Sequence, residues 1–172
     1  SILVMEDFQG IDLRVFARRN QMALDEFFTL ALGIVSGLSE IHDAMLIHQD
    51  IKPPNILVSP DDLRVQIIDF SIATKLTRRE PSLRDIQHLK GTPAYIAPEQ
   101  TGAMNRSLDY RCVLSSLGAT FYYMLTGRPP FRRKGLWDYV RAHIAETPVT
   151  LSEINQDVPE LLSEIISKLL SK

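Results

Sequence analysis

A chain of 172 residues, 45% hydrophobic and 23% charged, is one folded domain with a core of its own rather than a disordered or fibrous segment. A formal net charge of −2 gives no electrostatic footprint for nucleic acid or for an anionic membrane surface. The single cysteine, Cys112, excludes an internal disulfide and favours a reducing, cytoplasmic setting.

Ile2 to Met5 is apolar and β-prone, and the pattern breaks at Gln9-Gly10, so a strand followed by a turn is expected. Nothing basic flanks this run and no long apolar region follows, unlike a signal peptide. The chain starts without Met inside the run, which reads as a piece of something larger. Asp12 to Asn20 is short and mixed, enough for one or two helical turns. Leu24, Phe27, Ala31, Ile34, Leu38, Ile41 and Met45 then recur at three and four, which predicts an amphipathic helix. Asp25 and Glu26 sit in its first turn, facing the positive end of the helix dipole. Gly33 and Gly37, four apart, suggest close packing against another element; the plainer alternative is that they only weaken the helix.

Leu46-Ile47 predicts a very short strand. Ile56-Leu57-Val58 and Val65-Gln66-Ile67-Ile68, separated by the turn residues Ser59-Pro60-Asp61-Asp62, predict a hairpin. It would carry Asn55 at the start of one strand and Asp69 at the end of the other. Thr74 to Lys90 is polar and without period, hence a long surface loop. In Gly91 to Glu99 two prolines forbid a helix before Pro98. Val113 to Thr126 is apolar nearly all round, so a buried central helix is expected, too short and too interrupted by Ser and Gly to cross a bilayer. Trp137 to Ile144 and Val158 to Leu170 predict two further amphipathic helices.

The chemistry lies in two stretches, His48-Gln49-Asp50-Ile51-Lys52-Pro53-Pro54-Asn55 and Ile67-Ile68-Asp69-Phe70-Ser71. They place an Asp, a Lys, an Asn and a second Asp on loops between apolar runs. Singly, each is what a solvated loop residue looks like. As a set they are what phosphoryl transfer requires: a group that positions a hydroxyl, a cation for phosphate, and oxygen ligands for magnesium. The four histidines are too scattered for a zinc site, and Cys112 has no partner for one. His48 reads as a structural imidazole rather than a base.

The first stretch resembles the catalytic loop of protein kinases (H-R-D-x-K-x-x-N) and the second their D-F-G turn, with Ala97-Pro98-Glu99 downstream in the family's order. The resemblance covers the whole chain. It implies an α+β, protein kinase-like fold: residues 1–11 the end of the small lobe and hinge, residues 12–172 a mainly helical large lobe lacking its last helix. Ile67 to Ala73, Pro98 to Arg106 and Leu108 to Arg111 are similar to the kinase domains at the front of very large sensor proteins with an ATPase module and a histidine kinase. The resemblance implies ATP and Mg2+ as cofactors, a protein substrate with a Ser/Thr acceptor, and further domains as partners. It also implies roles. Asp50 would orient the acceptor hydroxyl and take its proton, Lys52 would neutralise the transferred phosphate, and Asn55 and Asp69 would hold magnesium. Met5 would guard the adenine pocket, the backbone of Glu6 and Phe8 would bond the adenine edge, Asp12 would reach the ribose and Leu57 would pack beneath the base. Thr92 would help hold the acceptor.

Four departures qualify that expectation. Gln49 stands where many kinases have an arginine that binds activation-loop phosphate, and a neutral amide cannot form that charge-assisted pair. Ser71 replaces a glycine. Val113 stands where the family has an aspartate that accepts hydrogen bonds from the catalytic-loop backbone; Asp109, one turn earlier, is a weak substitute. Neither a glycine-rich loop nor the lysine–glutamate pair precedes the opening run, and no arginine follows Arg141 to pair with Glu99, leaving that carboxylate costly if buried. Two functions therefore stand: a serine/threonine kinase domain of a signalling protein, inactive as this isolated piece, or a pseudokinase or interaction module that keeps the fold without phosphoryl transfer.

Overall fold

The structure, a computed structural model, describes residues 7–19, 22–75, 92–101 and 110–171. Met5 and Glu6, the opening apolar run, most of the loop before Gly91, and Asp109 lie outside them. Among the described residues eleven regular elements follow one another: β1 (Ile11–Asp12), α1 (Leu13–Arg19), α2 (Leu24–Asp43), β2 (Leu46–Ile47), β3 (Ile56–Val58), β4 (Val65–Ile67), β5 (Thr74–Lys75), α3 (Cys112–Thr126), α4 (Leu136–Ala145), α5 (Leu151–Ile154) and α6 (Glu160–Leu169). Single 3₁₀ turns occur at Pro53–Asn55, Pro93–Tyr95 and Pro98–Thr101. Each opens on a proline, whose fixed φ suits the first position of a turn. The mixed, mostly helical architecture is the expected one.

α2 buries Phe27, Leu30, Ala31, Ile34, Leu38 and Ile41, the face its periodicity foretold. Glu26 accepts the Ala23 N–H at 3.1 Å, which satisfies one of the free amides at the helix start. Met45 departs from the expectation. The helix ends at Asp43, and Met45 takes a left-handed φ of 58° and is 55% exposed.

The hairpin forms as expected, with Ile56 opposite Ile67 and Val58 opposite Val65, and β1 adds antiparallel on the other side of β3. α2 lies directly on β4. A methyl group built on Gly33 would come within 2.6 Å of Val65 Cγ2, and one on Gly37 within 3.3 Å of Ile67 Cδ1. The two glycines are thus packing glycines. Thr74-Lys75 corrects the expected loop: it pairs antiparallel with Leu46-Ile47 as β5.

α3 is the post at the centre, buried at every residue except Leu114, Ser115 and Thr126. Gly127 closes it with φ 67° and donates to the Tyr123 carbonyl at 2.8 Å, a left-handed C-cap that glycine adopts without strain. α6 packs on α3, where Gly118 leaves room for Leu169. α6 starts at Glu160, with Val158 buried ahead of it, and the single turn α5 was not foreshadowed by any periodicity. Among the described residues no helix is long and apolar enough to cross a membrane.

Candidate active site

Asp50 is the hub of the site. It is buried, and its carboxylate accepts from Lys52 Nζ at 2.6 Å, from Asn55 Nδ2 at 3.0 Å and from the Thr92 N–H at 3.2 Å. Lys52 Nζ also donates to Thr92 Oγ1 at 2.7 Å, and Asn55 Nδ2 to the Asp50 carbonyl at 2.9 Å. Four of the residues singled out by sequence therefore form one hydrogen-bonded group. The proline-led turn Pro53–Asn55 brings Asn55 back over Asp50, and its last N–H donates to the Lys52 carbonyl at 2.9 Å.

Asp69 reaches the same neighbourhood through the hairpin, where the Ile68 N–H donates to the Asn55 carbonyl at 2.9 Å. It has a φ of 66°, a left-handed conformation that costs a non-glycine residue about 1–3 kcal/mol. The Ser71 hydroxyl, then the Ser71 N–H at 3.3 Å, hold the Asp69 carboxyl below its ordinary range, with Lys52 and His48 adding smaller pulls. Serine in place of glycine thus supplies a hydroxyl donor that favours the ionised form of Asp69.

The two magnesium candidates fit an oxygen-preferring cation. Asn55 turns its amide nitrogen toward Asp50, which leaves the amide oxygen as the atom for a metal. Asp69 is an exposed carboxylate held in its charged form.

The candidate adenine-side residues lie next door. Asp12 and Leu57 are cross-strand partners of β1 and β3, and Leu57 is two residues from Asn55. Leu57 points away from the fully buried Ile56 and Val58, as side chains alternate along a strand. Asp12 also caps α1, accepting the Val15 N–H at 2.8 Å. Phe8 lies over Gly10 and under the Arg64 guanidinium, 5.7 Å from its ring centre.

His48 is a structural imidazole, as expected. It is fully buried and edge-on to Phe70 at 4.8 Å. Nδ1 accepts the Asp50 N–H at 3.3 Å, so Nε2 is the protonated nitrogen and donates to the Ile68 carbonyl at 2.9 Å. Burial is the main cause of its lowered pKa, which matches a neutral ring. Gln49, in the arginine position, takes φ 64° and donates its side-chain amide to Thr74 Oγ1. Val113 is buried in the core. Glu99 is only half-buried, so the cost expected for its carboxylate is smaller than a buried position would impose.

Two contributors escaped the sequence reading. Gln100 Nε2 donates to the Gln49 carbonyl at 2.7 Å while Oε1 accepts the Ala97 N–H at 2.9 Å. Ser116 on α3 donates to the Tyr95 carbonyl at 2.8 Å, fastening the Pro93–Tyr95 turn to the post. Neither contact leaves a spacing signal, since one spans about fifty residues and the other about twenty.

A family model described as protein kinase domain matches residues 1–172. The chain is 32% identical over 171 residues to a probable serine/threonine-protein kinase PknB of Bifidobacterium longum, covering 99% of this chain and 24% of that protein. It is 32% identical to serine/threonine-protein kinase PknB of Mycolicibacterium smegmatis (99% and 27%) and 31% identical to serine/threonine-protein kinase pkn3 of Myxococcus xanthus (99% and 32%). The chain thus spans about a quarter to a third of the length of these curated relatives.

Proposed function

Since the chain belongs to the protein kinase domain family, we propose that the protein carrying it transfers the γ-phosphate of ATP to serine or threonine hydroxyls of other proteins. The observation that carries this reading is the group Asp50–Lys52–Asn55–Thr92, which presents a carboxylate, a cation and an amide oxygen around one point. Asp50 orients the acceptor hydroxyl and takes its proton, and Thr92 flanks the acceptor. Lys52 moves from its pair with Asp50 toward the transferred phosphate. Asn55 Oδ1 and the Asp69 carboxylate hold magnesium, which when bound neutralises charge on the phosphates. Leu57 lies beneath adenine and Asp12 toward the ribose; the family resemblance gives the guard of that pocket to Met5 and the bonds to the base to the backbone of Glu6 and Phe8, of which only Phe8 is among the described residues.

The segment is a partial kinase domain, residues 1–11 from the end of the small lobe and 12–172 from the large lobe. Its wording from Ile67 to Ala73 and from Pro98 to Arg111 supports a place within a large multidomain cytoplasmic sensor whose other domains are its partners. Val113 favours a second reading, a pseudokinase that binds nucleotide or a partner without transfer, because valine cannot accept the hydrogen bonds that anchor the loop.

Magnesium–ATP titration together with transfer to a Ser/Thr peptide separates the two in the protein at its natural length. Asp69→Asn is expected to abolish magnesium-dependent nucleotide binding. Asp50→Asn is expected to keep binding and lower kcat by about 10²–10⁴-fold. Binding without transfer in the unaltered protein refutes the kinase and leaves the pseudokinase.

A further inference from the structure

The peptide plane between Gln49 and Asp50 is held from both edges. Its carbonyl accepts from Gln100 Nε2 and its N–H donates to His48 Nδ1. Both holders are themselves fixed, Gln100 by the Ala97 N–H and His48 by the Ile68 carbonyl. The plane follows a residue at φ 64°, a conformation that an L-amino acid keeps only when its surroundings enforce it. The plane carries ψ of Gln49 and φ of Asp50, so the hydrogen bonds on its two edges fix backbone torsions that set where the Asp50 side chain stands relative to Lys52 and Thr92. Val113 has no side-chain acceptor to offer the loop, and the side chain that holds the carbonyl edge of this plane, opposite His48, comes from the Pro98–Thr101 turn.

We propose that Gln100 is a positioning residue for phosphoryl transfer: its amide clamps the Gln49 carbonyl and thereby keeps Asp50 aimed at the acceptor hydroxyl. The inference rests on the kinase reading above. Gln100 touches neither nucleotide nor acceptor in this role. The opposing explanation is that Gln100 serves only its own turn, through Ala97.

The two hydrogen bonds are separable. Gln100→Glu keeps an acceptor for the Ala97 N–H and loses the donor to Gln49. Gln100→Met loses both. In the natural-length protein, Gln100→Glu is expected to lower kcat by about ten- to a hundredfold, the range for a catalytic group displaced by about 1 Å. Magnesium–ATP affinity should stay at the unaltered value. Gln100→Met should lose kcat to the same extent and melt earlier. If Gln100→Glu retains kcat within twofold, the clamp is refuted and the residue serves only its turn. If the unaltered protein transfers no phosphate, the kinase reading fails on its own account, and hydrogen exchange then decides the clamp. Gln100→Glu must deprotect the Asp50 amide while α3 amides keep their protection; unchanged protection at Asp50 overturns it.

Discussion

Gly33 and Gly37 lie one turn apart on the same face of α2, yet their replacement by alanine should act in opposite directions. Alanine gains about 1 kcal/mol over glycine at an interior helix position, and this gain is common to both sites. At Gly37 the new methyl would meet the tip of Ile67 at 3.3 Å, a tight contact that a few tenths of an ångström of side-chain movement relieves. The helix term wins there, and Gly37→Ala should stabilise by up to about 1 kcal/mol. At Gly33 the methyl would stand 2.6 Å from Val65 Cγ2. A β-branched side chain has little χ1 freedom to retreat, so helix and strand must part, at about 1–3 kcal/mol for overpacking. Gly33→Ala should therefore destabilise by roughly 0–2 kcal/mol net, and Val65→Ala in the same chain should restore the loss. Urea midpoints at constant m-value report both signs. The displaced strand is β4, which leads to Asp69, so Gly33→Ala should also weaken magnesium–nucleotide binding while Gly37→Ala leaves it intact. Equal stabilisation by both alanines would refute the contact between α2 and β4 on which the placement of Asp69 rests.

Two further predictions concern the catalytic loop. The His48 pKa is lowered from its ordinary 6.5 by burial, so the unfolded chain takes up the proton at a higher pH than the native one. The contribution of His48 to stability should accordingly be level above pH 6.5, fall as the pH drops from there toward the lowered native value, and level off below it. Unfolding titrations should show this segment in the unaltered protein and lack it in His48→Asn. Val113→Asp should return an acceptor to the loop and raise kcat more in the Gln100→Met background than in the unaltered one, because both residues act on one segment. Effects on kcat that add within about 0.3–0.5 kcal/mol would show that they serve separate structures.

Much of the fold was legible because the apolar periods were long. α2 and α3 each repeat their pattern over several turns, and the hairpin is bracketed by Ser59-Pro60 and Asp62. Met45 matched the spacing of α2 but lies past its end, since a period does not say where a helix stops. The single turn α5 is shorter than any window in which a period is visible. Thr74-Lys75 read as loop because it is polar and only two residues long; it is a strand because Leu46-Ile47 offers it an edge. The polar group at Asp50 was legible because chemistry fixes the spacing of Asp, Lys and Asn within one loop. Gln100 was not, because hydrogen bonds to a distant carbonyl require only that the chain return there.

The departures within the loop therefore have a common physical outcome. An arginine beside Asp50 would carry a charge awaiting phosphate; Gln49 instead donates to Thr74 of β5 and needs no charge to do so. An aspartate on α3 would accept from the loop amides; Val113 joins the core, and Gln100 takes hold of a loop carbonyl. In each case a charged support is exchanged for a neutral hydrogen bond to a different element. Neutral hydrogen bonds are weaker than charge-assisted ones by about a factor of two, but they are present without modification and respond little to salt. The Gln49–Thr74 hydrogen bond itself needs no phosphate on the segment after β5, so transfer by the unaltered protein should be insensitive to phosphatase treatment and transfer by Gln49→Arg sensitive to it; equal sensitivity of the two would refute the reasoning.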